Sequence, residues 1–288
     1  MSPFELVAPR TLLEAAALID TDDSTVRAIA GGTALMLMMK SAVFQPTRLV
    51  NLRAVEAKHA QVSIDADGGL RIGALTTLSA LACATAARMA VPVLAQTLKT
   101  LSNVRVRNMA TVGGALAHGD PHMDLPPVMM ALDARVSAVS AAGTRTLPVA
   151  ELYTGYYETA LARNELISEV YLPASAGWCA MYVKLTTRSA DDWPTLGIAV
   201  ALKITSGVIA DVRLVVSAAT ATPTRLAAAE AELRGKPLNA TTLARCGEAA
   251  FHEAELLDDA HGSAAYKQTL LRVHLARAVC AVAPQAIM

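Results

Sequence analysis

Cysteine is sparse and scattered in this chain. Cys83, Cys179, Cys246 and Cys280 form no CxxC pair, which argues against a zinc site, an iron–sulfur cluster or a disulfide framework on this polypeptide. A reduced, cytoplasmic protein is the expectation. Excess charge is also missing: Lys+Arg and Asp+Glu are 25 each, so nothing draws the chain toward nucleic acid or anionic lipid. Mean hydropathy is positive, yet no apolar run approaches the roughly 18–20 residues of a spanning helix. The surplus is mostly alanine. The N-terminal MSPFELVAPRTLLEAA lacks a basic segment followed by an apolar one, so no signal peptide is expected. No internal repeat, GxGxxG fingerprint or GK[ST] phosphate loop is present. With 53% hydrophobic and 17% charged residues over 288 positions, the chain has ample material for a packed core and for two or three domains.

Thr11-Leu-Leu-Glu14 has capping-box spacing before a short helix. Val26–Ala30 reads as a strand running into Gly31-Gly32, then a helical turn, then a strand over Arg48–Asn51. This β–GG–α–β order predicts a small α/β unit with parallel strands over residues 1–55. Hairpins follow at Gln61–Ile64/Leu70–Ile72 and Arg135–Ser140/Thr144–Leu147, with a helix over Pro92–Leu101 and a strand over Leu166–Leu172. These make a second unit, 56–173. After a short linker, 174–177, strands at Ala180–Leu185, Leu196–Ile204 and Ile209–Ser217 precede helices at Pro223–Leu233, Thr241–Ala254 and Ser263–Val282. A third unit, 177–288, is therefore a three-stranded antiparallel sheet followed by helices. The fold class is α+β.

Three stretches carry possible chemistry. In AGGTALMLMMK (30–40), glycines between strand and helix let backbone amides approach a phosphate closely, and the helix start adds partial positive charge. A tight turn without ligand explains the pair equally well. In VRNMATVGGALAHGDPHMDLPPVMMAL (106–132), a second glycine pair precedes His118, Asp120, His122 and Asp124. His118-x3-His122 invites a metal, but Pro121 between them opposes the regular helix that would put both rings on one face. No metal site is expected. Asp124 is placed either to cap the following segment or to accept a ligand hydroxyl. In YVKLTTRSADDWP (182–194), Lys184, Arg188 and Asp191 either decorate an ordinary charged hairpin loop or face a ligand shared with the other two stretches.

Together the three stretches resemble one family, the FAD-binding (medium) subunits of molybdenum hydroxylases, which include the medium subunit of aerobic carbon monoxide dehydrogenase and the flavin domain of xanthine dehydrogenase. AGGTALMLMMK is similar to the family's first flavin loop. The 106–132 segment is similar to its second, an R-N-x-x-T-[IVL]-G-G-N pattern followed by DPxxDLP, and YVKLTTRSADD resembles the loop beside the isoalloxazine. The C-terminal AYKQTLLRVHLARAV resembles the closing helix, so the likeness covers essentially the whole chain. It implies a two-subdomain FAD-binding fold of the vanillyl-alcohol-oxidase (PCMH) type plus a C-terminal domain closing over the ring. By matching position, Ala30, Gly31, Gly32, Thr33, Ala34 and Leu35 would line one side of the pyrophosphate, and Thr111, Gly113, Gly114 and Ala115 the other. Asp124 would contact sugar or ribityl hydroxyls, Ile167 would be an apolar flavin contact, and Lys184, Arg188 and Asp191 would sit toward the ring or its access route. Two positions depart: Ala115 stands where the family has Asn, and Ala34 where a polar residue is common.

The resemblance further implies an oxidoreductase subunit without catalytic residues of its own. FAD on this chain would receive electrons from [2Fe-2S] clusters on a small subunit, downstream of molybdopterin on a large one. The electrons would pass to NAD, a quinone or oxygen, in a dimer of heterotrimers. A stand-alone flavin oxidoreductase of the same fold and a flavin-free assembly subunit are the alternatives.

Overall fold

Thr11 opens the first helix as its spacing requires. Its hydroxyl accepts the Glu14 amide at 3.0 Å, and the Glu14 carboxylate accepts the Arg10 amide at 2.8 Å, so donors at the helix start are satisfied from both directions. The computed structural model, which describes residues 3–20 and 22–287, sets this helix, α1 (Leu12–Ile19), beside a sheet of β1 (Glu5–Val7), β2 (Val26–Ile29) and β3 (Arg48–Asn51). The strand order is β1-β3-β2 and both pairings are parallel. Helix α2 (Thr33–Lys40) is the crossover from β2 to β3. Leu12, Ala15, Ala16 and Ile19 recur at helical spacing and pack on Val26, Val50 and Val55.

The second sheet is antiparallel and builds from hairpins. It contains β4 (Val62–Ile64), β5 (Leu70–Gly73), β6 (Arg135–Ser140), β7 (Gly143–Pro148) and, after a separate small hairpin of β8 (Tyr153–Gly155) and β9 (Glu158–Thr159), β10 (Leu166–Leu172). The order β4-β5-β10-β6-β7 puts β10 at the centre. Between β5 and β6 the chain forms six short helices: α3 (Leu78–Cys83), α4 (Thr85–Ala90), α5 (Pro92–Thr100), α6 (Val104–Arg107), α7 (Val112–Ala117) and α8 (Leu125–Ala131). Their apolar faces and the sheet share one core, with Leu94, Leu98, Leu116, Leu125 and Met129 fully enclosed.

A third sheet, in the order β11-β12-β13-β14, joins β11 (Trp178–Leu185), β12 (Leu196–Thr205), β13 (Val208–Ser217) and β14 (Thr224–Arg225), all antiparallel. Helices α9 (Ala227–Leu233), α10 (Ala240–Glu253) and α11 (Ala264–Ile287) follow. Strand β12 is buried on both faces, and its two faces differ in size. Ile198, Val200 and Leu202 point to the α10–α11 side, whereas Ala199 and Ala201 belong to the core of the second sheet. Alternation at period two sends large and small side chains to opposite faces, and the small face lets the sheet lie against α8.

The architecture is the expected α+β arrangement, with local differences. A fourth, two-residue strand joins the three expected in the last sheet, because Thr224 and Arg225 pair with Val216 and Val215; α9 consequently starts at Ala227 rather than at Pro223. The 106–132 segment, which carries no helix in the sequence reading, holds α7 and α8. Strand β11 begins at Trp178, two residues before the expected start at Ala180, and ends at Leu185 as expected.

One buried charge holds the last sheet to its helices. Glu230 is 3% exposed and accepts the Leu214 amide at 2.9 Å and the Arg225 guanidinium at 3.0 and 2.6 Å. Glu230→Ala leaves the buried Leu214 amide without its acceptor and Arg225, which is partly exposed, without its carboxylate, and is expected to cost about 1–3 kcal/mol in urea unfolding. Glu230→Gln, which keeps an acceptor for the Leu214 amide, is expected to cost clearly less.

Candidate functional site

Strand β2 delivers the chain to Gly31 and Gly32 at the start of α2. Gly32 occupies the N-cap with φ 75° and offers no side chain to cap the helix. Left-handed backbone favours glycine there, and the missing cap leaves the amides of Thr33, Ala34 and Leu35 without an intrahelical acceptor. The first recorded helical bond is from the Met36 amide to the Gly32 carbonyl, at 2.9 Å. Residues 30–35 are all half-buried. The result is a concentration of free donors, with the helix dipole behind it, that suits a phosphate.

The second glycine pair meets the first. A Cβ on Gly31 would overlap the Met109 carbonyl and stand 2.8 Å from Ala110 Cα, so the two loops touch backbone to backbone at Gly31. Arg53 bridges the same junction, donating to the Ala30 carbonyl at 3.3 Å and reaching Met109 Sδ at 3.9 Å. It adds a positive charge beside the free amides.

The amides of the second pair are differently employed. Thr111 caps α7 by accepting the Gly114 amide at 3.2 Å, while the Gly113 amide goes to the Ala74 carbonyl at 2.8 Å and the Val112 amide to the Thr76 carbonyl at 2.9 Å. Gly113 is required by packing, since a Cβ would stand 2.7 Å from Ala74 Cβ. The second loop therefore offers a ligand a bare Cα surface at Gly114, which is exposed, while the free amides are those of the first loop. Ala115 is 6% exposed within the core and presents no polar group.

Beyond α7, Asp124 takes the N-cap position of α8 but does not cap it. Its carboxylate turns instead toward the last sheet. Tyr182 Oη donates to Asp124 Oδ1 at 2.7 Å and Lys184 Nζ to Asp124 Oδ2 at 2.9 Å. Lys184 Nζ also donates to the Thr100 carbonyl, at 2.9 Å. Both charged side chains are buried, Asp124 at 5% and Lys184 at 7% exposure. Burial pushes the Asp124 carboxyl up, against the pull of Lys184 and Tyr182. Burial and the neighbouring Asp124 raise the Tyr182 phenol well above its ordinary value. Gly197 makes room for this arrangement, because a Cβ there would stand 2.5 Å from Tyr182 Oη. A cavity of about 330 Å³ opens next to the cluster, lined by Gln96, Thr97, Thr100, Tyr182, Lys184 and Thr186 among others.

Other expected residues stand apart. Ile167 is 6% exposed on β10 inside the core of the second sheet. Arg188 and Asp191 lie on the exposed loop after β11, and their side chains form no ion pair among the described residues. No cluster of metal ligands occurs among the described residues. The sequence reading missed Tyr182 and Arg53, and it weighed His122 only as a metal ligand and a loop residue. The first stands at the i−2 position of Lys184 on the same strand, and period-two alternation would have put both on one face. The contacts of Arg53 and His122 arise from chain crossings far apart in sequence and leave no local pattern.

Residues 2–175 match the family described as FAD binding domain in molybdopterin dehydrogenase, and residues 181–282 match the CO dehydrogenase flavoprotein C-terminal domain. The chain is 31% identical over 280 residues to the carbon monoxide dehydrogenase medium chain of Hydrogenophaga pseudoflava, covering 96% of each. It is 30% identical over 274 residues to the nicotine 6-hydroxylase medium subunit of Paenarthrobacter nicotinovorans, covering 94% of each. Among solved structures, the carbon monoxide dehydrogenase of Hydrogenophaga pseudoflava superposes with a TM-score of 0.93 at 32% identity, over 98% of both chains. Quinoline 2-oxidoreductase from Pseudomonas putida 86 superposes with a TM-score of 0.93 at 28% identity, over 100% of this chain and 99% of that one.

Lys184→Met strands a buried carboxylate and is expected to lower unfolding free energy by about 3–5 kcal/mol. Tyr182→Phe removes one hydrogen bond to a charged group and is expected to cost about 1.5–3 kcal/mol. Denaturant titration checks both, and the order of the two losses tests whether Lys184 is the principal partner of Asp124.

Proposed function

Because this chain belongs to the FAD-binding medium subunits of the molybdenum hydroxylases, an oxidoreductase family, we propose that it is the electron-transfer flavoprotein of a larger complex. Small iron–sulfur and large molybdenum subunits complete that complex, assembled as a dimer of heterotrimers. In this reading the chain works in the cytoplasm through three units, 1–55, 56–173 and 177–288. No helix among the described residues is long and apolar enough to cross a membrane, and all four cysteines are free, as a reducing compartment requires.

The residues present fit the dinucleotide. The observation that carries this is the uncapped α2 start, where Gly32 has no side chain and the first three amides have no acceptor among the described residues, placed directly against the second glycine loop at Gly31. We assign the amides of Thr33, Ala34 and Leu35 to the pyrophosphate, with Ala30, Gly31 and Gly32 shaping the approach and Arg53 adding charge. Thr111, Gly113, Gly114 and Ala115 form the opposite wall, with Thr111 fixing the turn and Gly114 allowing close contact. Asp124 and Lys184 present polar groups at the cavity beside Thr100, and Ile167 supplies apolar backing. Arg188 and Asp191, on the exposed loop, flank the way in. FAD held by these residues would supply the redox chemistry between [2Fe-2S] clusters of a partner and an external acceptor. The protein's own work is to bind, orient and shield.

The visible spectrum of the purified chain checks this: flavin absorption is expected, and a colourless, flavin-free protein overturns the reading. Copurification with iron- and molybdenum-containing subunits is expected too. A flavin-loaded chain that alone oxidises an organic substrate would instead mark a stand-alone flavin enzyme. Gly31→Ala forces apart the two loop backbones and is expected to abolish flavin retention, with a stability loss of about 1–3 kcal/mol from overpacking. Arg53→Ala leaves the backbone junction intact and is expected to weaken flavin retention with little change in stability.

A further inference from the structure

His122 lies two residues before Asp124, and its ring is held between one carboxylate of its own loop and one from far along the chain. Nδ1 is 3.3 Å from Asp120 Oδ1, on its own loop, and Nε2 is 3.3 Å from Asp259 Oδ2, on the segment between α10 and α11. Asp259 is anchored from behind by Lys267, which is fully buried on α11, with Nζ 2.7 Å from Asp259 Oδ2 and 2.9 Å from the Leu257 carbonyl. The same loop is fastened once more by the Ala218 amide, which donates to the Pro121 carbonyl at 3.1 Å. This is a contact between the loop that carries Asp124 and the sheet and helices that carry Tyr182 and Lys184.

The chemistry of the two ring nitrogens gives the contact a direction. A carboxylate only accepts, so the ring must donate at both nitrogens to satisfy both partners. An imidazolium does so; a neutral imidazole donates at one nitrogen and turns a lone pair toward the other carboxylate. We propose that His122 is a positioning residue whose protonated form ties the second cofactor loop to the C-terminal helices, so that the hold of this site on its cofactor is proton-linked. The proposal rests on the reading above that FAD occupies the site.

The surroundings bear on the sign. The hydrogen bond to Asp120 raises the pKa of His122 above its ordinary value, against burial and with help from Asp259. Burial pushes both carboxyls up, but hydrogen bonds from His122 to Asp120, and from Lys267, the His261 amide and His122 to Asp259, outweigh it and hold both below the ordinary value. The other groups facing the ring are His261, with ring centroids 5.4 Å apart, and Trp193, at 6.2 Å. His118 and Tyr157 pack against each other beside Asp120, and burial keeps His118 low. A raised histidine pKa stabilises fully below the unfolded value of about 6.5, and the contribution fades as pH rises through the folded value.

The test follows FAD release by flavin fluorescence from the purified protein, and the thermal midpoint of the flavin-free protein, between about pH 5.5 and 8.5. It compares the native chain with His122→Gln and His122→Lys, neither of which titrates in that range. In the native chain FAD release is expected to speed up roughly tenfold from the acid to the alkaline end, as loss of one charge-assisted hydrogen bond predicts, and the thermal midpoint is expected to fall in parallel. Both variants are expected to give flattened profiles. A native profile that is flat, or a slope that survives in both variants, overturns the proposal. Absence of flavin at every pH overturns the FAD reading instead, and the thermal midpoints of the three proteins then decide the His122 tie alone.

Discussion

A carboxylate enclosed without its counter-ions would be untenable, and Asp124 has its counter-ion on a different sheet. That constraint orders much of the molecule. Asp124 sits at the head of α8, in a helix cluster built on the second sheet, while Lys184 and Tyr182 sit on β11. The chain must therefore bring the last sheet down onto α8 to satisfy the charge, and the alanine face of β12 is what allows it to come close enough. Thr100, at the end of α5, shares Lys184 and fixes the third side. The pair adds little net stability compared with apolar packing of the same volume. It instead specifies where the two bodies meet, and it leaves polar groups at the rim of a cavity where a ligand with hydroxyl and ring functions can use them.

The glycine pairs, which look alike in sequence, do different physical work. Gly31-Gly32 leaves donors free at a helix start and abuts the second loop. Gly113-Gly114 spends its donors internally on Ala74 and Thr111, and its lack of side chains serves packing and close approach. The junction of the two loops is thus asymmetric, with hydrogen-bond donors on one wall and a smooth, close surface on the other.

Much of this was legible in the sequence because it was local. The helix cap at Thr11, the parallel β–GG–α–β unit, both hairpins and the strand over Leu166–Leu172 follow from short-range pattern. The family likeness placed the glycine loops, Asp124 and Lys184 in one list. Composition could not show how they meet. Tyr182 reads as one more strand residue until its hydroxyl is seen to reach Asp124, far back in the chain. His122 reads as a spare loop histidine until Asp259, far along the chain, is seen beside it. The two-residue strand at Thr224–Arg225 is too short to have a period at all, and its existence depends on β13 offering an edge and on Glu230 holding Arg225. Long-range ion pairs and backbone contacts such as Gly31 against Met109 carry no signature in any window of sequence.

The two-faced burial of β12 bears on how traffic reaches the interior. Ile198, Val200 and Leu202 are committed to one core and Ala199 and Ala201 to another, so the last sheet is a shared wall rather than a door. Swinging it outward would wet one of those cores, at about 25 cal/mol for each Å² of apolar surface uncovered. The cavity beside Thr100 is lined in part by Thr186 and Ala190 of the exposed segment that follows Leu185, so it can be reached from that side without moving the wall. Rearranging that segment uncovers neither of the two cores that β12 divides.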